Sequence, residues 1–224
     1  MSSHRPNDSE GLAEVPHFVT SRLRAKRQQT GLSVRALARL VDVSPSFISQ
    51  IENGKANPSV GTLLAIVSAL GLSLDDLFAE TEDAEPVPAS DVGELGSAAP
   101  PQPPASRAWH GGWVLRATDR PIVDLAGGVR WERLTPDVDP DVTFLYVRYD
   151  VGGSSSPPGA LMQHNGREYG LVLSGSLGAQ VGEQTYVLDP GDSIVTDCTI
   201  PHRFWTIGDE PAIVIWTIIR TDAA

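Results

Sequence analysis

The chain of 224 residues has a single cysteine, Cys198. No disulfide can close within it, and a lone thiol fits a reducing cytoplasm. Long apolar runs are also missing. The longest, AIVIWTII at 212–219, falls far short of the ~20 residues of a membrane-spanning helix. The N-terminal MSSHRPNDSEG lacks the apolar stretch of a secretory signal. Between residues 81 and 106 large apolar side chains nearly vanish, while six prolines and five acids accumulate. Such a segment cannot bury a core and reads as an extended, semi-rigid linker. Positive charge is scarce overall, with a net charge of -11. That average hides an asymmetry. From Val19 to Val60 seven basic side chains face two acidic ones, a net +5 that leaves −16 for the rest. A local anion-binding surface on an otherwise acidic protein is implied.

Four segments follow from texture: a disordered N-terminus at 1–16, a helical domain at 17–80, the acidic Pro-rich linker at 81–106 and an all-β domain at 107–224. The expected class is α + β multidomain. In the helical part, a first helix carries Arg22, Leu23, Arg24, Lys26 and Arg27 and stops at Gly31. Ser33 caps a second. Ser44-Pro45 supplies an N-cap and a first-turn proline for a third, which ends at Asn53-Gly54. Leu63, Ile66, Val67 and Leu70 stripe a fourth that stops at Gly71. Ser73 and Asp76 form a capping pair for a short fifth ending in Leu77-Phe78. Beyond 107, short alternating runs such as FLYVRYDV, EYGLVLSG and TYVLDPGDSIV are split by Gly, Pro and Asp, as in β-hairpins. DPGD at 189–192 is a turn in which Pro190 presets the first central φ and Gly191 supplies the second.

The second and third helices, joined by VDVS, suit a helix-turn-helix whose second helix enters the major groove. Its outward side chains include Ser46, Ser49 and Gln50, and Gln50 can pair with an adenine edge through two hydrogen bonds. Ser33, Asn53, Lys55 and the first-helix arginines can hold phosphates. The run GLSVRALARLVDVSPSFISQIENGKANPSVGTLLAIVSALG resembles the DNA-binding domain of the XRE family, the phage repressor and Cro type, over about 20–78. The resemblance implies that Ser44, Ser46 and Gln50 contact bases. It also places Arg27 and Glu52 at the positions of a buried salt bridge between the first and third helices. Val34 stands where that family often has a glutamine opening the second helix. The expected DNA contacts are Arg27, Ser33, Ser44, Ser46, Ser49, Gln50, Asn53 and Lys55.

In the β-domain, residues two apart on a strand share a face, so Met162 and His164 are expected to point the same way. Gly166 permits a turn or bulge that lets Glu168 aim back. His202 follows 38 residues after His164. Two histidines and a carboxylate make the donor set of a facial triad for Fe(II) or another divalent ion. The run His164-x-Gly-x-Glu168, with LDPGD at 188–192 and Pro201-His202, resembles the cupin fold, a jelly-roll β-barrel whose interior binds metals or small ligands. The resemblance covers roughly 115–220. It implies a metal site at His164, Glu168 and His202, with Met162 standing where a fourth ligand is usual. Met162 is also an adaptable apolar pocket wall. Three readings stand open: a divalent metal (Fe, Zn, Mn or Ni) on these residues, a metal-free pocket in which they bind an effector, and satisfied core residues with no ligand. Met162, His164, Glu168, His202 and Phe204 are the expected effector contacts. Tyr146, Arg148, Phe204 and Trp216 are candidates to line the barrel, and an inward Arg148 or Arg203 would imply an anionic effector. Cys198 reads as a small hydrophobe. His4, His17 and His110 read as solvated.

The leading expectation is a non-enzymatic, cytoplasmic transcriptional regulator. Its helical domain binds a palindromic operator as a homodimer formed by the cupin domains, with no membrane partner, and its barrel binds a small-molecule effector. The linker would let two reading heads reach two half-sites and would pass a signal loosely. The rival expectation is an enzyme. A helical domain before a cupin with His-x-x-x-Glu and a distant His also resembles the hydroxypropylphosphonic acid epoxidases, mononuclear non-haem iron oxygenase-like enzymes. In a third expectation the metal is itself the effector.

Overall fold

The computed structural model describes residues 16–78 and 112–220. The N-terminal tail up to residue 15, the expected linker at 81–106, His4 and His110 lie outside the described residues. Among the described residues four α-helices come first: α1 (His17–Gln29), α2 (Val34–Leu40), α3 (Pro45–Glu52) and α4 (Val60–Leu70). The caps read from sequence are in place. Ser33 Oγ accepts from Ala36 N at 3.1 Å, and Ser44 Oγ accepts from Phe47 N at 3.1 Å with Pro45 at the first helical position. Between α2 and α3 the backbone turns through Asp42, which holds φ 53°. Asp tolerates this left-handed conformation better than most side chains. The expected fifth helix is shorter than a helix proper. Ser73 and Asp76 do cap each other, with Asp76 N to Ser73 Oγ at 3.0 Å and Ser73 N to Asp76 Oδ2 at 2.7 Å. They enclose one 3-10 turn at Asp75–Phe78, with Leu77 and Phe78 buried in the core.

Nine strands follow: β1 (Ile122–Leu125), β2 (Val129–Arg133), β3 (Val142–Tyr149), β4 (Arg167–Ser174), β5 (Ser176–Val181), β6 (Gln184–Leu188), β7 (Ser193–Asp197), β8 (His202–Ile207) and β9 (Ala212–Ile219). They form a six-stranded sheet, β1-β2-β3-β9-β4-β7, and a three-stranded sheet, β6-β5-β8, with every pairing antiparallel. The β6–β7 connection is the expected DPGD turn, closed by Asp192 N to Asp189 O at 2.9 Å with Gly191 at φ 94°. Strand alternation decides the interior. On β3, Thr143, Leu145, Val147 and Tyr149 point inward and Tyr146 and Arg148 outward. Opposite Trp216 of β9 stands Gly170 of β4. A Cβ there would come within 2.7 Å of the Trp216 ring, so the indole occupies space that only glycine leaves open.

The helical unit sits directly on the barrel. Ala126 N donates to Pro58 O at 3.0 Å, Gly61 N to Ser155 O at 3.1 Å and Asp139 N to Asp75 Oδ2 at 2.6 Å. A Cβ on Gly61 would stand 3.3 Å from Met162 Cβ, so α4 approaches the barrel with no side chain between. This explains why α4 is apolar nearly all round. Val60, Leu64, Val67 and Ser68 face space shared with the barrel, while Leu63, Ile66 and Leu70 fill the helical core.

Candidate functional site

On the helical unit, Ser33 at the start of α2 and Ser44, Ser46, Ser49, Gln50, Asn53 and Lys55 along α3 and its flanks are all exposed. Ser44 and Ser46 hydroxyls lie 2.9 Å apart, and Asn53 Nδ2 donates to Ser49 O at 2.6 Å. Arg27 departs from the expected set of contacts. Its Nε and Nη2 donate to Glu52 Oε1 and Oε2 at 2.6 and 2.8 Å, and its Nη1 donates to Leu32 O at 2.8 Å. Both partners are buried. The bidentate pair raises the guanidinium pKa further, chiefly through the Glu52 hydrogen bond. Arg27 therefore fixes α3 against α1, with all three guanidinium nitrogens engaged and the side chain buried away from the exposed face of α3.

In the barrel, residues 160–166 are irregular rather than a strand, and they run against the chain entering β8. Met162 N donates to His202 O at 2.8 Å, His202 N to Met162 O at 2.9 Å, His164 N to Cys198 O at 3.0 Å and Cys198 N to Gly166 O at 3.0 Å. This pairing brings His164, Glu168, Cys198 and His202 together. One donor atom from each lies within 4.8 Å of all the others. His164 Nε2 is 3.0 Å from Glu168 Oε1, and His202 Nε2 is 3.8 Å from Glu168 Oε2. The rings of His164 and His202 meet edge-on at 5.3 Å, and Phe204 stacks behind His202 at 5.6 Å and against Trp216 at 4.6 Å.

The two histidines are held alike. His164 Nδ1 faces Asn165 O at 3.1 Å, and His202 Nδ1 faces Ile200 O at 2.8 Å. A carbonyl opposite Nδ1 places a proton there, so in the neutral rings Nε2 carries a lone pair. Both Nε2 atoms are buried without a hydrogen bond, since His164 Nε2 is close to Glu168 but not aligned for one. With both rings neutral, two ring lone pairs and a carboxylate thus converge in a buried site, and a cation between them would balance the carboxylate. A proton on His164 is one solution. Burial pushes its pKa down, but the Glu168 carboxylate and the Asn165 carbonyl outweigh that and lift it above its ordinary value. His202 goes the other way, because burial prevails over the attraction of Glu168. A divalent metal is the other solution, and the donor set fits one: orphaned ring nitrogens oriented by backbone carbonyls beside a carboxylate.

Next to this cluster lies a cavity of ≈ 20 Å³, walled by Trp131, Leu145, Val147, Tyr149, Met162, Glu168, Phe204, Trp216 and Ile218 of the barrel and by Val60 and Leu64 of α4. That space holds about one water. A second, larger space of ≈ 300 Å³ opens between α4 and the barrel rim, where Leu64, Ser68 and Ser73 face His164 and Arg220. Phe204 and Trp216 line the inner cavity as expected, and Tyr146 and Arg148 do not. Arg148 pairs with Asp150 at 2.7 Å on the outside. Arg203 lies over Trp205 and donates to Ser156 O at 2.8 Å, so no arginine enters the inner cavity. Trp131, Tyr149 and Cys198 were not legible as site residues. The spacing Cys198-x-x-x-His202 was the available signal for the last.

These features define a helix-turn-helix reading unit mounted on a cupin. The sequence matches the Helix-turn-helix family over residues 23–77 and the Cupin domain family over residues 145–218. It is 30% identical over 199 residues to the HTH-type transcriptional regulator PuuR of Escherichia coli, covering 87% of this chain and 88% of that one. The chain belongs to the HTH-type transcriptional regulators that carry a C-terminal cupin domain. A solved HTH_3 family transcriptional regulator from Vibrio cholerae shares the fold at a TM-score of 0.61 and 20% identity, over 92% of this chain and 96% of that one. Hydroxypropylphosphonic acid epoxidase from S. wedmorenis aligns over 93% of this chain and 100% of that one, at 22% identity and a TM-score of only 0.42. A likeness that loose carries nothing about activity.

Proposed function

We propose that this regulator binds a palindromic operator as a homodimer and that a small molecule held in the cupin shifts the reading helices by acting on α4. The observation that carries the coupling is the composition of the inner cavity wall, where Val60 and Leu64 of α4 stand opposite Met162, Glu168 and Phe204. A ligand larger than a water must displace α4 or draw it in. The signal then passes by direct contact, without relying on the segment at 81–106. With four aromatic rings and no arginine in the wall, the cavity suits a compact, partly apolar effector.

On the reading face, Ser44, Ser46, Ser49 and Gln50 address base edges, while Ser33, Asn53 and Lys55 hold phosphates. A single unit of this kind offers a small interface, so two half-sites about one helical turn apart are required. An apolar stripe on the outer sheet face supports pairing of two cupins. Tyr169, Leu171 and Leu173 alternate along β4 and, with Val195 of β7, the register partner of Tyr169, are 40–60% exposed. His164, Glu168 and His202 would hold a divalent ion at the cavity floor, where it would supply a fixed positive charge. The same donors would serve an oxygenase, and absence of dioxygen uptake with Fe(II) belongs to the proposal.

The test uses a wedge. Gly61→Leu places a side chain between α4 and Met162 without entering the helical core, and leucine is the better helix former. A duplex is first selected from a random library with the wild-type chain. The wedge variant should bind that duplex with affinity altered about 5-fold or more, the range of an allosteric coupling of ~1–3 kcal/mol. Unchanged affinity in a folded variant refutes coupling through α4.

A further inference from the structure

We infer that Cys198 is the fourth ligand of the cupin site and that the ion it selects is thiophilic and tetrahedral, of the zinc type. The inference rests on the reading of His164, Glu168 and His202 as metal donors and adds the residue that replaces the ligand missing at Met162. Cys198 is fully buried. Its Sγ lies within 4.8 Å of the other three donor atoms and donates a long hydrogen bond to Thr196 O at 3.7 Å. The turn closed by Ile200 N to Asp197 O at 3.0 Å bends the chain between Cys198 and His202, so that both side chains face Glu168. His202, also fully buried, aims an Nε2 without a hydrogen bond into the same space.

Charge and geometry favour this set. Glu168 and a Cys198 thiolate together neutralise a divalent ion, so the buried site carries no net charge. Bonds of ~2.0–2.3 Å at tetrahedral angles put donors about 3.3–3.8 Å apart. The present limit of 4.8 Å closes to that range with side-chain shifts of about 1 Å. Without the ion the sulfur keeps its proton, because burial and the Glu168 charge both push the thiol pKa up. On binding, the S–H proton leaves to solvent and the sulfur lone pair it releases forms the bond to the metal. A soft thiolate favours zinc or cobalt over magnesium, calcium or manganese. Four protein donors leave no open position, so the ion is structural or is itself the sensed species. The space beneath α4 stays available to the effector, and the arrangement disfavours an oxygenase.

Co(II) is the probe, titrated into the metal-stripped full chain. The wild type should show a thiolate-to-cobalt charge-transfer band in the near ultraviolet together with intense tetrahedral d–d bands. Cys198→Ser and Cys198→Ala should lose the charge-transfer band and bind Co(II) more weakly by at least about 10-fold, as loss of a direct ligand exceeds loss of an outer-shell partner. Bound Co(II) without the band in the wild type overturns the Cys198 assignment and leaves the three-donor reading standing. No Co(II) binding at all overturns the metal reading itself. X-ray absorption on the zinc-loaded wild type needs no variant. One sulfur at about 2.3 Å supports the assignment, and a shell of nitrogen and oxygen alone overturns it.

Discussion

If Arg27 positions the reading helix and does not touch DNA, replacing it alone and replacing it with its partner must have opposite consequences. Arg27 and Glu52 side chains are 10% and 7% exposed, and the guanidinium meets both carboxylate oxygens. Arg27→Met leaves a buried carboxylate unpaired, at a cost of about 3–5 kcal/mol. With a urea m-value of ~2 kcal/mol/M, the unfolding midpoint of the helical unit falls by roughly 1.5 M or more. Operator binding is lost with it, because α3 is no longer held against α1. Arg27→Met combined with Glu52→Leu substitutes apolar volume for both charges and should restore stability to the wild-type level or above. The assay is urea unfolding followed by helical circular dichroism, with operator affinity measured across a salt series. The double variant should recover binding and keep the wild-type slope of log K against log salt. A slope flatter by about 0.9 per protomer means that Arg27 neutralises a phosphate, and that result refutes the positioning role.

Three further outcomes are expected. Gln50→Ala should weaken the selected operator by about 1–3 kcal/mol with an unchanged salt slope, whereas Lys55→Ala should flatten the slope, both read by anisotropy titration. Leu171→Asp, which puts a charge into the apolar stripe of β4, should yield a monomer in sedimentation; a persistent dimer removes that face from the interface. Asp75 is fully buried at the junction of the two domains, and burial pushes its pKa from 3.8 up to about 6. A folded pKa above the unfolded one gives stability that is present below about pH 4 and lost as pH rises through about 6. Asp75→Asn should therefore match the wild type near pH 4 and exceed it by an order of 2–3 kcal/mol near pH 8, and a pH-independent difference would falsify the assignment.

Local rules made the helical unit legible. Ser33 and Ser44 cap α2 and α3, the Ser73–Asp76 pair closes its turn, and the apolar stripe of α4 sits where its period demands. The fifth element runs from the Ser73–Asp76 pair to Leu77-Phe78 as expected, but as a single 3-10 turn. The cupin was legible from alternation, the DPGD turn and the His164–Glu168–His202 spacing. Its lining was not, since the sequence does not state which strand face is inside. Tyr146 and Arg148 therefore had to yield to Leu145, Val147 and Tyr149 one residue away.

Sequence alone determined the two domain types, because caps, strand alternation and turn signals act within a few residues, whereas the grouping of His202 with His164 and Glu168 was implied by the resemblance and made by long-range pairing. The Arg27–Glu52 bridge that the resemblance implied is in place. Tertiary structure decided two things. Cys198 stands among the donors, and α4 closes the cavity over Met162. Each of these joins residues far apart in the chain, and only packing settles which side chains share the same buried space.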